Sequence, residues 1–219
     1  MDDLRQLLRG LEVFAGELPV FDPVATPETP HELFADWLLG AVEAGVREPH
    51  AMTLSTAGED GNPQARVLIL KAVTAGGWQF ASDGGSVKAR DLAERPYAAL
   101  TFYWPSLARQ VRVRGPVVRE PADAGAADFR ARSEAARAEA LLGRQSRPLD
   151  SLGERDAAVR ASRERLARDP GLVAPGWALH TVCPETVEFW QGDKDRRHTR
   201  LTYLSAGGDG GWRKQLLWP

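Results

Sequence analysis

The sequence has little of several residue types, and each shortage excludes a class of protein. Cys183 is the only cysteine among 219 residues, which excludes a disulfide framework and a cysteine-rich zinc site. There are four histidines, and no metal is expected because His31, His50 and His180 lack partners at ligand spacing. No apolar run approaches the roughly 18 to 20 residues that span a bilayer. The acidic start, Met1 to Arg5, is unlike a secretory signal, so we expect a cytoplasmic protein.

An excess of charge is also missing. Lysine and arginine total 28 against 30 aspartates and glutamates, a net charge of −2. A general nucleic-acid binder needs a strongly basic face, so neither nucleic acid nor membrane is expected as a partner. A chain of this length buries about 70% of its surface on folding, which allows a core without disulfides or metals.

The pattern along the chain predicts an N-terminal arm over residues 1–29 and one domain over 30–219. The arm starts with a short helix, and its prolines forbid a continuous one. Thr29 and Glu32 flank Pro30 as a helix start, with Thr29 as the cap. An apolar face at helical spacing follows, made of Leu33, Phe34, Trp37, Leu38, Ala41 and Val42.

Alternating apolar residues and turn signals predict a mostly antiparallel β protein. Strands are expected near 52–55 and over 66–73, 77–82, 97–104, 109–120, 177–191, 201–205 and 212–217. A short helix is expected over 86–95. A helical insertion is expected over 121–170, broken at 147–149 and restarted by a capping box at Ser151 to Glu154. The cluster Gly207 to Gly211 predicts a hairpin loop. Short connections favour an antiparallel barrel decorated by helices, an α+β fold.

Two segments place cations beside apolar strands or turns. Arg66 and Lys71 bracket four aliphatic residues and face opposite sides of a regular strand. The segment from Ser82 to Lys88 leads into a helix start, where free N–H groups bind anions. A lysine in the first turn opposes the helix macrodipole, so an anionic ligand would explain it. Alternatively, Arg66 and Lys71 are solvated residues at the ends of a strand, and Ser82 to Lys88 is an ordinary capped helix start with a solvated lysine.

Two further segments suit a planar, anionic ligand. Alternation places Gln110, Arg112 and Arg114 on one strand face, where a glutamine can bond the edge of a heteroaromatic ring. An aromatic strand, 187–192, runs into a cationic loop, 193–200, which offers a stacking surface beside guanidinium forks. Each segment alone also fits an exposed strand face or a solvated loop.

Together with Arg144-Gln145-Ser146, these segments resemble the pyridoxamine 5′-phosphate oxidase family in order and spacing. Arg196-x-His198-x-Arg200 completes that family's C-terminal signature, and the resemblance runs from about Pro30 to Pro219. It implies an FMN-binding split β-barrel, with each flavin between the subunits of a homodimer. The FMN contacts that it implies are Arg66, Val67, Leu68, Lys71, Ala81, Ser82, Lys88, Gln110, Gln145, Ser146, Trp190 and Arg200.

The resemblance also implies substrate contacts. These would fall on Lys71, Arg132, Arg196 and His198, with Arg196 and His198 as the catalytic pair and His198 as the candidate to accept a proton.

Several positions depart from the vitamin B6 enzyme of that family. Val87 stands where that enzyme carries an arginine. Asp128 and Ala136 stand where a tyrosine and a serine grip the substrate's phosphate. Each lost hydrogen bond to a charged group costs about 1.5–3 kcal/mol, and an aspartate repels a phosphate.

The sequence is more similar to the phenazine-biosynthesis oxidase branch. The shared features are Glu17-Leu18-Pro19, the helix end at Gly45 to Glu48, Cys183 before the aromatic strand, and the Trp218-Pro219 end. We therefore expect an FMN-dependent oxidase that dehydrogenates and aromatises a reduced, anionic nitrogen heterocycle, with O₂ as acceptor and H₂O₂ as product. Three alternatives stay open. They are a pyridoxine/pyridoxamine 5′-phosphate oxidase that makes pyridoxal 5′-phosphate, a flavin- or haem-binding split-barrel protein without oxidase activity, and a deazaflavin enzyme.

Overall fold

A computed structural model of the chain describes residues 2–207 and 211–219. The α-helices in these residues are α1 (Asp2–Gly10), α2 (Pro30–Glu43), α3 (Val87–Glu94), α4 (Ala122–Ala131), α5 (Glu134–Ala140) and α6 (Leu152–Arg168). The strands are β1 (Ala51–Ala57), β2 (Pro63–Ile69), β3 (Ala72–Thr74), β4 (Gly77–Asp83), β5 (Tyr97–Trp104), β6 (Arg109–Arg119), β7 (Trp177–Val182), β8 (Thr186–Gln191), β9 (Thr199–Ser205) and β10 (Trp212–Leu217). No helix among them is both long and apolar enough to cross a membrane.

The chain forms two compact units. The terminal unit comprises residues 1–52, 100–113 and 185–219, and the central unit comprises residues 53–99 and 114–184. The sequence-based division into an arm over 1–29 and one domain over 30–219 stays a prediction.

In the terminal unit, α2 packs its apolar face against a sheet. The strand order is β10-β9-β8-β6-β5, and both β10 with β9 and β8 with β9 pair antiparallel. The α2 ring of Phe34 meets Phe102 edge to face at 4.8 Å, and Trp37 meets Phe189 at 5.2 Å. The buried residues of the helix are Pro30, Leu33, Phe34, Trp37 and Ala41. The predicted helical face is therefore confirmed at Leu33, Phe34, Trp37 and Ala41, whereas Val42, which was also expected on it, is 57% exposed.

In the central unit, β4 pairs antiparallel with both β3 and β7, and β7 pairs with β6 through residues 117–119. Gly77 allows the tight connection into β4. Its φ is +142°, and a Cβ there would lie 2.1 Å from the carbonyl oxygen of Val182. The helices α4 to α6 enclose a small core of their own, which consists of Phe129, Ala138, Leu141, Leu166 and Ala174.

The structure corrects several predicted element bounds. The strand expected over 66–73 is interrupted at Leu70 and Lys71, between β2 and β3. The strand expected over 177–191 divides into β7 and β8, because Pro184 has no N–H to donate to a ladder. The helical insertion contains three helices, and its break spans 141–151 rather than 147–149.

The two predicted helix caps differ in outcome. Ser151 accepts a hydrogen bond from the backbone N–H of Glu154 at 3.2 Å, so that cap is confirmed. Thr29 caps no backbone group with its side chain, and its hydroxyl donates to the Glu32 carboxylate instead. The hairpin loop predicted at Gly207 to Gly211 lies largely outside the described residues.

Candidate functional site

A buried lysine marks the first candidate site, in the central unit. Lys88 lies in the first turn of α3, behind the N-cap Ser86, and is only 5% exposed. Its Nζ donates to Oε1 of Gln145 at 3.1 Å. Desolvation and then the nearby Arg66 charge lower the pKa of Lys88, while Asp83 acts in the opposite direction. Two cations close together in a partly dry environment are stabilised by an anion, so this cationic cluster suits a phosphate.

A hydroxyl and a carboxylate behind the cluster hold Arg66. Nη1 of Arg66 donates to Oγ1 of Thr56 at 2.6 Å, and the same hydroxyl donates to Oδ2 of Asp91 at 2.6 Å. Asp91 also lies 3.9 Å from Nη2 of Arg66. Both Thr56 and Asp91 are buried. Sequence reasoning missed them, although Asp91 follows Lys88 by three residues and therefore shares its side of α3.

The other residues predicted to contact the cofactor in the central unit lie around these elements. Ser82 is buried, and its Oγ lies 3.2 Å from that of Ser86. Ser146 follows Gln145 with a left-handed φ of +67°. Of the remaining four, Val67 and Leu68 lie on β2, Ala81 lies on β4, and Lys71 lies between β2 and β3. The structure thus brings Lys88 into contact with Gln145, places Ser82 beside the N-cap of the helix that carries Lys88, and places Arg66 near enough to lower the pKa of Lys88.

A second group in the central unit is built around Asp128. Nζ of Lys71 lies 3.1 Å from Oδ1 of Asp128, and Nε1 of Trp177 donates to Oδ2 at 2.8 Å. The Arg132 guanidinium stacks over the Trp177 ring at 4.0 Å. Burial lowers the pKa of Arg132, against the opposing effects of Asp128 and Glu139. Its buried Nε has no hydrogen-bond partner within the described residues.

An aromatic cluster occupies the terminal unit. The rings of Trp190 and His198 lie 5.0 Å apart, and Phe14 contacts them at 5.8 and 5.6 Å respectively. The Arg196 guanidinium lies 5.8 Å from the Phe14 ring. The N–H of Asp193 donates to Nδ1 of His198 at 3.0 Å, so a neutral His198 carries its proton on Nε2 and donates from there. Phe14, which has a φ of +58°, was not foreseen.

Arg200 is fixed opposite Trp190 in the same unit. The two residues are direct partners in the β8–β9 register. Nε and Nη2 of Arg200 donate to the two carboxylate oxygens of Glu188, at 3.3 and 3.0 Å. Arg112 on β6 lies 3.9 Å from that carboxylate. Gln110 is half-buried on the same strand, whose burial alternates as predicted, with the valines inward.

The described residues indicate neither a metal site nor a reactive thiol. Residues 2–207 and 211–219 contain no group of three or more histidine, cysteine or acidic side chains placed to hold a metal ion. Cys183 is half-buried, and burial raises the pKa of its thiol, which keeps it protonated.

Family models match most of the chain. One described as pyridoxamine 5′-phosphate oxidase matches residues 38–164. Another, described as the pyridoxine 5′-phosphate oxidase C-terminal dimerisation region, matches residues 177–219.

Curated relatives are similar over nearly the whole chain. The pyridoxine/pyridoxamine 5′-phosphate oxidase of Burkholderia multivorans is 40% identical over 196 residues, which cover 89% of this chain and 91% of that protein. The enzyme of the same name from Myxococcus xanthus strain DK1622 is 38% identical, covering 90% of this chain and 94% of its own.

Solved structures share the fold. PhzG from Burkholderia lata 383, solved in complex with tetrahydrophenazine-1-carboxylic acid, superposes with a TM-score of 0.83 at 28% identity, over 93% of this chain and 100% of that one. A pyridoxamine 5′-phosphate oxidase-related, FMN-binding protein from Nostoc punctiforme gives 0.68 at 20% identity, over 87% and 98%. The predicted fold class, a split antiparallel β-barrel with helical insertions, is confirmed. With both regions matched and relatives at 40% identity, the chain belongs to the pyridoxamine 5′-phosphate oxidase family.

Proposed function

We propose that this protein is an FMN-dependent oxidase that dehydrogenates a reduced nitrogen heterocycle carrying a carboxylate. The observation that carries the proposal is the buried Lys88 near Arg66, because two neighbouring cations in a partly buried site favour an anion, and the family resemblance implies that this anion is the phosphate of FMN. In support, a solved structure at 20% identity is described as FMN-binding.

The residues of the central unit fit the phosphate end of FMN. Lys88 and Arg66 supply charge, and the buried Ser82 hydroxyl supplies a further polar group beside the helix start. Thr56, which itself donates to Asp91, holds one end of the Arg66 guanidinium in place. Gln145 accepts from Lys88 and so orients its ammonium.

The residues of the terminal unit fit the flavin ring and the substrate. Trp190 offers a stacking surface beside Arg200, and Gln110 offers an amide to the ring edge. In a homodimer, these groups would serve the cofactor whose phosphate is held by the partner protomer. Such an arrangement would be formed by the dimerisation region that the chain carries.

FMN, when bound, supplies the redox chemistry, in which the substrate loses a hydride and a proton and O₂ takes up both electrons and becomes H₂O₂. The protein binds and orients the substrate. Arg196 offers a bidentate fork to a carboxylate, and His198 donates from Nε2 because its Nδ1 is occupied by a backbone amide. A strong base is not required where aromatisation drives the reaction.

The Asp128 group argues for a carboxylate rather than a phosphate on the substrate. Asp128 neutralises Lys71 and would repel a phosphate dianion more strongly than a singly charged carboxylate. PhzG, whose structure was solved with a tricyclic carboxylic acid, is the similar protein that fits this chemistry.

A second candidate function is oxidation of pyridoxine or pyridoxamine 5′-phosphate. The 37–40% identity to curated enzymes of that name favours it. Under this candidate, Lys71 would leave Asp128 and bind the phosphate of the substrate.

Three experiments test these proposals. The cofactor released from purified protein should have the mass and spectrum of FMN, and a haem or deazaflavin would contradict the assignment. Arg66→Ala should give largely colourless protein, whereas the control Arg114→Ala, on an exposed position of β6, should stay yellow. The holoenzyme should consume O₂ with reduced phenazine carboxylates and turn over pyridoxine 5′-phosphate poorly. Efficient turnover of the phosphate would establish the second candidate instead.

A further inference from the structure

The first helix presents an apolar face that nothing in the described chain covers. Leu4, Leu7 and Leu8 within α1, and Leu11 directly after it, recur at the spacing of one helix face and are each 58–60% exposed. An apolar stripe of this kind on a soluble protein marks a contact surface.

The helix is too short to be stable without a docking surface. It has nine residues and ends at Gly10, whereas isolated helices shorter than about 12–15 residues are marginal in water. Its formation therefore depends on burial of the leucine face against another surface.

The position of α1 along the chain indicates which surface that is. Leu11 precedes Phe14 by three residues, and an extended chain of that length spans at most about 11 Å. Phe14 lies against Trp190 and His198, which belong to the matched dimerisation region at 177–219. The leucine face is thus continuous with the part of the chain that mediates dimerisation in this family.

We propose that the leucine face of α1 packs against a second copy of this chain, so that the N-terminal arm, residues 1–29, contacts the partner protomer. A lipid surface fits less well, because α1 carries two aspartates and two arginines, whereas membrane-surface helices are rich in lysine and arginine. In a two-fold dimer each protomer contributes one α1, which doubles the apolar area buried. This inference does not depend on the identity of the cofactor or the substrate.

The test compares Leu7→Glu/Leu8→Glu with the control Val20→Glu/Val24→Glu in the purified holoprotein. The control residues lie in the same arm outside α1 and are 92% and 87% exposed. Subunit exchange is followed by mixing donor-labelled and acceptor-labelled protein. Loss of several buried leucine contacts should accelerate exchange at least about tenfold in the leucine variant, and leave the control unchanged. The flavin absorbance of both variants should match that of the wild type.

Hydrogen exchange at the α1 amides provides a second readout. These amides should be protected in the wild-type dimer and exposed in the leucine variant. Equal subunit-exchange rates for wild type and leucine variant, or unprotected α1 amides in the dimer, would overturn the proposal. Co-sedimentation of the wild type, but not the leucine variant, with vesicles of mixed neutral and anionic phospholipid would assign the face to a membrane instead.

Discussion

Lys71 and Asp128 form an ion pair in the central unit, with Nζ 3.1 Å from Oδ1. The second oxygen of the same carboxylate accepts from Trp177, so the aspartate is held on both sides. A lysine that the family resemblance assigns to cofactor and substrate is therefore already neutralised by a residue of its own chain. This relationship is the main structural reason to expect a substrate without a phosphate.

Asp128→Asn should improve the use of a phosphorylated substrate. The amide oxygen can still accept from Trp177, while the negative charge that occupies Lys71 is removed. One recovered charged hydrogen bond is worth about 1.5–3 kcal/mol, which corresponds to a rise of roughly tenfold or more in kcat/KM for pyridoxine 5′-phosphate. Steady-state O₂ consumption measures this.

The matched control is Asp123→Asn, which removes an exposed aspartate from the same helix and should leave kcat/KM unchanged. An unchanged kcat/KM for the phosphate in Asp128→Asn would show that Asp128 does not set substrate preference.

Thr56→Val should weaken flavin binding. The valine has nearly the same shape but can neither accept from Arg66 nor donate to Asp91, so the guanidinium loses its fixed direction. We expect the dissociation constant for FMN to rise about tenfold, as for one hydrogen bond to a charged group. Fluorescence titration of apoprotein with FMN measures the effect.

Thr56→Ser should restore most of the affinity, because the hydroxyl returns. Thr53→Val is the control, since Thr53 lies on the same strand with its side chain on the opposite face. If Thr56→Val bound FMN as tightly as the wild type, the hydroxyl would have no part in positioning Arg66.

His180 should make the fold sensitive to acid. It is 8% exposed and stacks on Phe80 at 5.3 Å. Burial foremost, then Arg119, lowers its pKa from 6.5 to about 4; Lys88 acts in the same direction, and Glu120 in the opposite one. Because the unfolded state then binds the proton first, stability is lost as the pH falls from about 6.5 towards about 4.

His180→Phe, which keeps an aromatic ring against Phe80, should reduce this pH dependence. The measurement is the urea midpoint at about pH 7.5 and about pH 5, on either side of the usual histidine pKa. The difference between the two midpoints should shrink in His180→Phe and stay as in the wild type in the control His50→Gln, which changes an exposed histidine. An equal difference in all three proteins would mean that other groups govern the acid sensitivity.

Much of the architecture was predictable because it depends on local patterns. Alternating apolar residues predicted β5 and β10 with the bounds that the structure shows, and the capping box at Ser151 predicted the start of α6. The bounds that were wrong lie where a proline or a short turn interrupts a continuous apolar pattern, as at Pro184. The periodicity of apolar residues is assessed over several positions at once, so it does not detect an interruption of one or two residues.

The sequence by itself determined the family and the residue types of the candidate site, because its motifs resemble those of that family, and it determined the antiparallel strands, because they follow from alternating residues and short turns. Only the tertiary structure decided which of those residues interact. Lys71 forms an ion pair with Asp128, and Phe14 packs against His198. Arg66 donates to Thr56, which in turn donates to Asp91, 35 residues after Thr56 in the chain. These contacts join distant segments, and which segments meet is fixed by burial of the shared core rather than by any local preference.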